Sequence, residues 1–139
     1  MTDKEIMERY KFFRPERPVS EGLMCFGFEC EEGWFPLLVR LFDKIKKIRK
    51  KSRKFEVMQV KEKYASLRVN CECSTDEIEK LIDKAETESL HTCEVCGEKG
   101  SIHHKGTWYK TLCDKHGKER GYDRCQKTKQ QQNKREILS

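Results

Sequence analysis

Four residues in the last third of this chain constrain it most: Cys93 and Cys96 in Cys93-Glu94-Val95-Cys96-Gly97, and Cys113 and His116 in Cys113-Asp114-Lys115-His116. Two thiols separated by two residues converge on one point, while the glycine that follows lets the chain turn away beneath them. Sixteen residues lie between Cys96 and Cys113, within the range over which a second ligand pair completes a four-ligand structural zinc site. If a helix begins near Cys113, positions three apart share a face, so Cys113 and His116 point at the same ion. The intervening GSIHHKGTWYKTL reads as two short strands around Lys105-Gly106, where glycine supplies the positive φ of a tight turn. The expected cofactor is therefore one structural Zn²⁺ on Cys93, Cys96, Cys113 and His116, with His103, His104 and Cys125 as substitutes for the fourth ligand. Four protein ligands close the coordination sphere, so such an ion holds the fold together and activates no water.

Knuckle, hairpin and ligand-bearing helix in that order resemble the treble-clef class of zinc fingers over residues 93 to 116. That class includes the HNH nucleases, in which a hairpin histidine activates water, and the His103-His104 doublet makes a nuclease a minor alternative. A site resembling theirs also needs an asparagine and a further metal-binding histidine between hairpin and helix. Only eight residues separate His104 from Cys113, and none is Asn, Asp, Glu or His. The expectation is therefore no enzyme and no catalytic residue.

A length of 139 residues suits one compact unit with a small metal module attached. Charged residues make up 39% of the chain, which leaves a thin core that benefits from a metal staple. The N-terminal MTDKEIMERYK has no export-like apolar stretch. The longest apolar run, WFPLLV, falls far short of the roughly 18 residues of a membrane helix. A non-membrane, cytoplasmic setting with reduced thiols follows, so the eight cysteines point to metal rather than to a disulfide framework.

The expected fold class is α+β: a small antiparallel sheet packed by two main helices in residues 1 to 90, a treble-clef finger in 91 to 120, and a polar, flexible tail in 121 to 139. Residues 2 to 13 read as a short helix opening at Thr2 or Asp3 and stopped by RPERP, and VSEGLMCFGFEC as an irregular strand or loop. From Glu31 to Lys50, Trp34, Leu38, Leu41, Phe42, Ile45 and Ile48 recur at spacings of three and four and form one apolar stripe. Phe55 to Lys61 and Ala65 to Cys73 read as strands of a hairpin. A second helix starts at Ser74, in a capping box with Glu77, and buries Ile78, Leu81, Ile82 and Ala85. Cys25, Cys30, Cys71 and Cys73 form a candidate second metal cluster, against the commoner outcome of buried thiols acting as small apolar residues.

The net charge of +6 favours acidic partners. Between Arg40 and Lys54 stand nine basic residues and one acidic, Asp43. The basic residues there include Lys44, Lys46, Lys47, Arg49, Lys50, Lys51, Arg53 and Lys54. Such a cluster gives salt-dependent affinity for nucleic acid phosphates. Lys105, Trp108, Tyr109 and Lys110 of the hairpin add aromatics that can stack on bases beside lysines. Six acidic residues between Asp76 and Glu88 split the surface charge, which suits protein contacts as well. The leading expectation is thus non-enzymatic nucleic-acid binding, followed by an accessory role in which the chain binds and modulates a host protein. No small-molecule substrate is inferred.

From Gly33-Trp34-Phe35 through QVKEKYASLR to CEVCG and TLCDKH, roughly residues 28 to 120, the chain resembles a group of small, functionally uncharacterised zinc proteins of bacteriophage and prophage genomes. The resemblance implies a bacterial or phage-infected cell, and transfers no activity.

Overall fold

The computed structural model describes residues 1–49 and 54–125. Helix α1 (Asp3–Glu8) opens with a capping box, the Thr2 hydroxyl accepting from the Glu5 amide while the Glu5 carboxylate accepts from Thr2. It stops short of residue 13 because Tyr10, Phe12 and Phe13 turn into the core. Phe13 meets Phe42 edge-on at 4.9 Å, and Phe12 meets Phe55 at 5.4 Å. The Tyr10 hydroxyl donates to the Asp43 carboxylate at 2.7 Å, and the Val57 amide donates to the Phe12 carbonyl at 2.9 Å.

A 3₁₀ turn at Met24–Phe26 and Gly27, at φ +70°, redirect the chain into a two-residue strand, β1 (Phe28–Glu29). The Asp3 carboxylate accepts from the Phe28 amide at 3.1 Å and tethers this corner to α1. A second 3₁₀ turn, Glu32–Trp34, leads into α2 (Phe35–Ile48). Of the expected apolar stripe, Leu38, Leu41, Phe42 and Ile45 are buried on α2, Trp34 is buried in the turn before it and Ile48 is half-buried; Leu37 joins them, and Pro36 sits in the first turn, where its missing N–H costs nothing.

Strand β2 (Glu56–Lys63) pairs antiparallel with β3 (Ser66–Glu72) as a hairpin, and parallel with β1. The first sheet, of order β1-β2-β3, is therefore mixed rather than wholly antiparallel. Its parallel member is too short to show an alternating pattern in the sequence. Helix α3 (Asp76–Ser89) is capped by Thr75, one residue beyond Ser74, because Cys73 at φ +56° turns the chain first. It lies along β3, where the Leu67 amide donates to Ser89 Oγ at 3.0 Å and the Val69 amide to the Glu86 carboxylate at 3.1 Å. The outer edge of the sheet is thereby satisfied by side chains instead of being left open.

The second sheet has order β5-β4-β6. Strands β4 (Ser101–Lys105) and β5 (Trp108–Leu112) form the expected hairpin with Gly106 at φ +63°. Helix α4 (Asp114–Glu119) follows, and β6 (Asp123–Arg124) returns alongside β4. Lys50, Lys51, Arg53 and residues 126 to 139, most of the expected tail, lie outside the described residues. No described helix is long and apolar enough to cross a membrane.

Candidate metal centre

Knuckle, hairpin and helix bring Cys93, Cys96, Cys113 and His116 together, with one ligand atom from each within 4.8 Å of all the others. Cys113 is the N-cap of α4 and His116 lies in its first turn, so the three-residue spacing puts both on one side of the helix. A tetrahedral ion with metal–sulfur bonds near 2.3 Å and metal–nitrogen bonds near 2.05 Å has S···S edges of about 3.8 Å and S···N edges of about 3.5 Å. Cys96 Sγ and Cys113 Sγ are 3.8 Å apart, and His116 Nδ1 lies 3.8 Å from Cys93 Sγ and 3.1 Å from Cys113 Sγ. The donor set and these three edges are consistent with one tetrahedral metal ion, with Nδ1 as the imidazole ligand. The other ring nitrogen, Nε2, lies 3.9 Å from the Glu119 carboxylate, beyond hydrogen-bond reach.

The clustered thiols shift one another's ionisation. Cys93 is buried, which opposes ionisation, yet backbone amides of Cys113, Cys96 and Val95 aimed at its sulfur outweigh this and hold its pKa below the usual thiol value. Cys96 is pushed up to about 11 by desolvation and by the neighbouring sulfurs of Cys93 and Cys113. Three thiolates this close repel one another, and a divalent cation removes that repulsion.

The histidine doublet has other work. His103 is 2% exposed. Its Nδ1 sits 2.8 Å from the Ser101 carbonyl, and its ring packs on α4 where a Cβ on Gly117 would lie 2.5 Å from Cδ2. His104 pairs with Tyr109 across the hairpin, ring centroids 6.3 Å apart. Among the described residues, the Cys93, Cys96, Cys113 and His116 group is the one metal-ligating cluster. Cys25, Cys30, Cys71 and Cys73 are not brought together as a second. Burial pushes the Cys30 thiol up to about 12 and Cys71 up to about 11.

An ionic and backbone lattice ties the knuckle to the start of α2, and the linear pattern gives no sign of it. Glu94, between the first two ligands, is buried; its carboxylate accepts from the Glu31 amide at 3.0 Å and from Lys110 Nζ at 3.1 Å. Burial raises the Glu94 pKa, with Lys110 opposing. Arg120 makes a two-pronged bond to Glu31, 2.7 Å on each side, and holds that carboxylate below its ordinary range. The Gly33 amide donates to the Glu94 carbonyl at 2.7 Å and the Trp34 indole to the Thr92 carbonyl at 2.9 Å. A Cβ on Gly33 would overlap the knuckle backbone, 2.5 Å from the Glu94 carbonyl carbon and closer to two carbonyl oxygens. The Thr111 hydroxyl donates to the Ala65 carbonyl at 2.8 Å, joining the hairpin to the β2–β3 turn.

These contacts redistribute the expected nucleic-acid residues. Lys110 is committed to Glu94 and Glu31. Lys105 donates to the Arg120 carbonyl at 3.3 Å and lies over the Tyr122 ring. Arg49 sits over Phe12. Lys44, Lys46, Lys47 and Lys54 are exposed and form no ion pair with a described residue. Trp108 stands 74% exposed at the hairpin tip, while Tyr109 is half-buried. The two halves of the expected surface are also apart: the finger meets α2 at Gly33, and the lysines lie about 20 Å away at the other end, at 1.5 Å per residue.

Fold and site together define a mixed α+β protein with, among its described residues, one Cys₃His group that could hold a metal ion. No protein-family model, no curated protein and no solved structure matches the chain.

Proposed function

We propose that this is a non-enzymatic protein that holds one structural zinc ion and binds nucleic acid, chiefly through the basic end of α2. Three thiolates and an imidazole are a donor set that selects zinc over the hard cations. The ion's role is to fix the knuckle, which in turn seats the start of α2. The observation that supports nucleic-acid binding is the contrast in charge use. Arg17, Arg40, Lys110 and Arg120 are paired with carboxylates, whereas Lys44, Lys46 and Lys47 are exposed in the last turn or so of α2. Trp108 contributes at a separate surface.

Fluorescence anisotropy with labelled DNA across a salt series tests this. Three phosphate contacts correspond to a salt slope near −0.9 each on duplex DNA, so reversing Lys44, Lys46 and Lys47 to Glu should flatten the slope by about three. Absence of binding at low salt, or salt-insensitive binding, would refute the reading.

A second reading, an accessory protein that binds a host protein in a phage-infected bacterium, draws on exposed Val19 and Phe26 beside half-buried Leu23 and Met58. A partner of that kind should survive nuclease treatment in a pull-down; loss of every co-purifying protein after that treatment would count against it.

A further inference from the structure

We propose that Tyr64, Tyr109 and His104 form a stacking surface for unpaired bases, a site for single-stranded nucleic acid apart from the basic end of α2; this rests on the nucleic-acid reading above. The starting observation is the backbone of one turn. The β2–β3 hairpin closes through Tyr64 and Ala65, both left-handed at φ +50° and +72°. Two-residue turns of this hand are ordinarily made by Asn-Gly or Asp-Gly, because bulky side chains are strained there. Ala65 has a structural reason to be small: it is fully buried, its amide donates to the Glu62 carboxylate at 2.8 Å, and its carbonyl receives the Thr111 hydroxyl. Tyr64 is not small in the same way: it is 65% exposed. A strained, exposed aromatic held in place by its neighbours is a pattern found at binding sites.

The finger supplies the rest of the surface. Thr111 faces the turn, and Tyr109, two residues earlier on β5, projects from the same side of the strand. His104 is directly opposite Tyr109 and extends that face by a second ring. Lys63 Nζ lies over the Tyr64 ring, 5.9 Å from its centroid, and supplies a cation beside the aromatic side chain for a phosphate. Rings with an adjacent lysine suit bases whose faces are free, which a duplex does not offer, and such stacking tolerates any base. Because Thr111 clamps Ala65, the surface depends on a formed finger and so on its metal.

The test compares a labelled oligo-dT with a duplex of equal length, using zinc-loaded full-length chain. Tyr64→Gly is the informative variant, because glycine adopts the left-handed turn without strain and folding is favoured. Tyr64→Gly should melt no lower than wild type yet bind oligo-dT about 5- to 100-fold more weakly, with Tyr109→Ala weakening it similarly. Tyr64→Phe should bind as wild type does, and the duplex affinity should be indifferent to all three. Oligo-dT affinity unchanged in both Tyr64→Gly and Tyr109→Ala, while Lys44, Lys46 and Lys47 reversal still weakens binding, would overturn this inference alone. Wild-type chain that binds neither probe at low salt would overturn the nucleic-acid reading and this inference with it.

Discussion

Replacing Gly33 by Ala probes the contact on which finger and core are joined. The added Cβ would overlap backbone atoms of Cys93 and Glu94, and backbone cannot swing aside as a side-chain end can. The segment before α2 must therefore lift off the knuckle. Three hydrogen bonds cross that seam: Gly33 amide to Glu94 carbonyl at 2.7 Å, Glu31 amide to Glu94 carboxylate at 3.0 Å, and Trp34 indole to Thr92 carbonyl at 2.9 Å. At about 1 kcal/mol net each, their loss costs about 3 kcal/mol, or a fall in Tm of about 10 °C for a chain of this size. Linkage carries the same penalty to the metal, weakening zinc by up to about 100-fold if the lifted state holds the ion correspondingly less well. Thermal denaturation and competitive chelator titration measure both. Gly22→Ala is the control, since its Cβ would make only ordinary contact with Met58 Cε at 3.4 Å and should shift stability by no more than about 0.5 kcal/mol. If Gly33→Ala matches Gly22→Ala in melting and in zinc affinity, the knuckle is not seated on Gly33 and the reasoning fails.

Other substitutions and conditions follow from the same contacts. Gly117→Ala drives a methyl into the buried His103 ring and should cost about 1–3 kcal/mol by overpacking; a double-mutant cycle with His103→Ala should recover part of it. The lowered pKa of Glu31 gives a stability contribution that is complete above its ordinary value of 4.5 and is lost as pH falls through the lower folded value. Glu31→Gln should therefore lower Tm near neutrality and show a shallower acid limb than wild type in zinc-loaded protein; parallel curves would contradict this. Zinc removal should expose Trp34, which is fully buried against Thr92, so chelation should shift tryptophan emission to the red. Trp108→Ala should leave Tm within error, because that side chain is largely in solvent.

Where a feature rests on local spacing, the sequence shows it. The apolar stripe of α2, the β2–β3 hairpin, the Lys105-Gly106 turn and the Cys93, Cys96, Cys113 and His116 grouping each depend on residues within a few positions or on a ligand pattern with few alternatives. The misses are contacts between distant positions. Ile6, Met7 and Tyr10 share one side at helical spacing, but Phe12 and Phe13 stand beside RPERP and lack a period, so nothing in the string says that they line the core with Phe42 and Phe55. The parallel β1 is two residues long. Glu31 reads as a helix-dipole residue, but its charge is spent on Arg120, 89 positions away, and on Lys110. Lys110 reads as a surface lysine for the same reason: its buried partner Glu94 becomes adjacent only after the knuckle folds back on the hairpin. Gly33 carries no turn signal, since its need for a missing side chain comes from the packed knuckle.

X-ray absorption at the zinc edge, on protein purified with stoichiometric metal, addresses the central claim most directly. The account predicts one zinc per chain with three sulfur neighbours near about 2.3 Å and one imidazole nitrogen near about 2.0–2.1 Å. It also predicts loss of one sulfur in Cys113→Ser and of the imidazole signal in His116→Ala. A shell with fewer than three sulfurs and with water oxygen, an imidazole signal that persists in His116→Ala, or no stoichiometric zinc would contradict a closed Cys93, Cys96, Cys113 and His116 site.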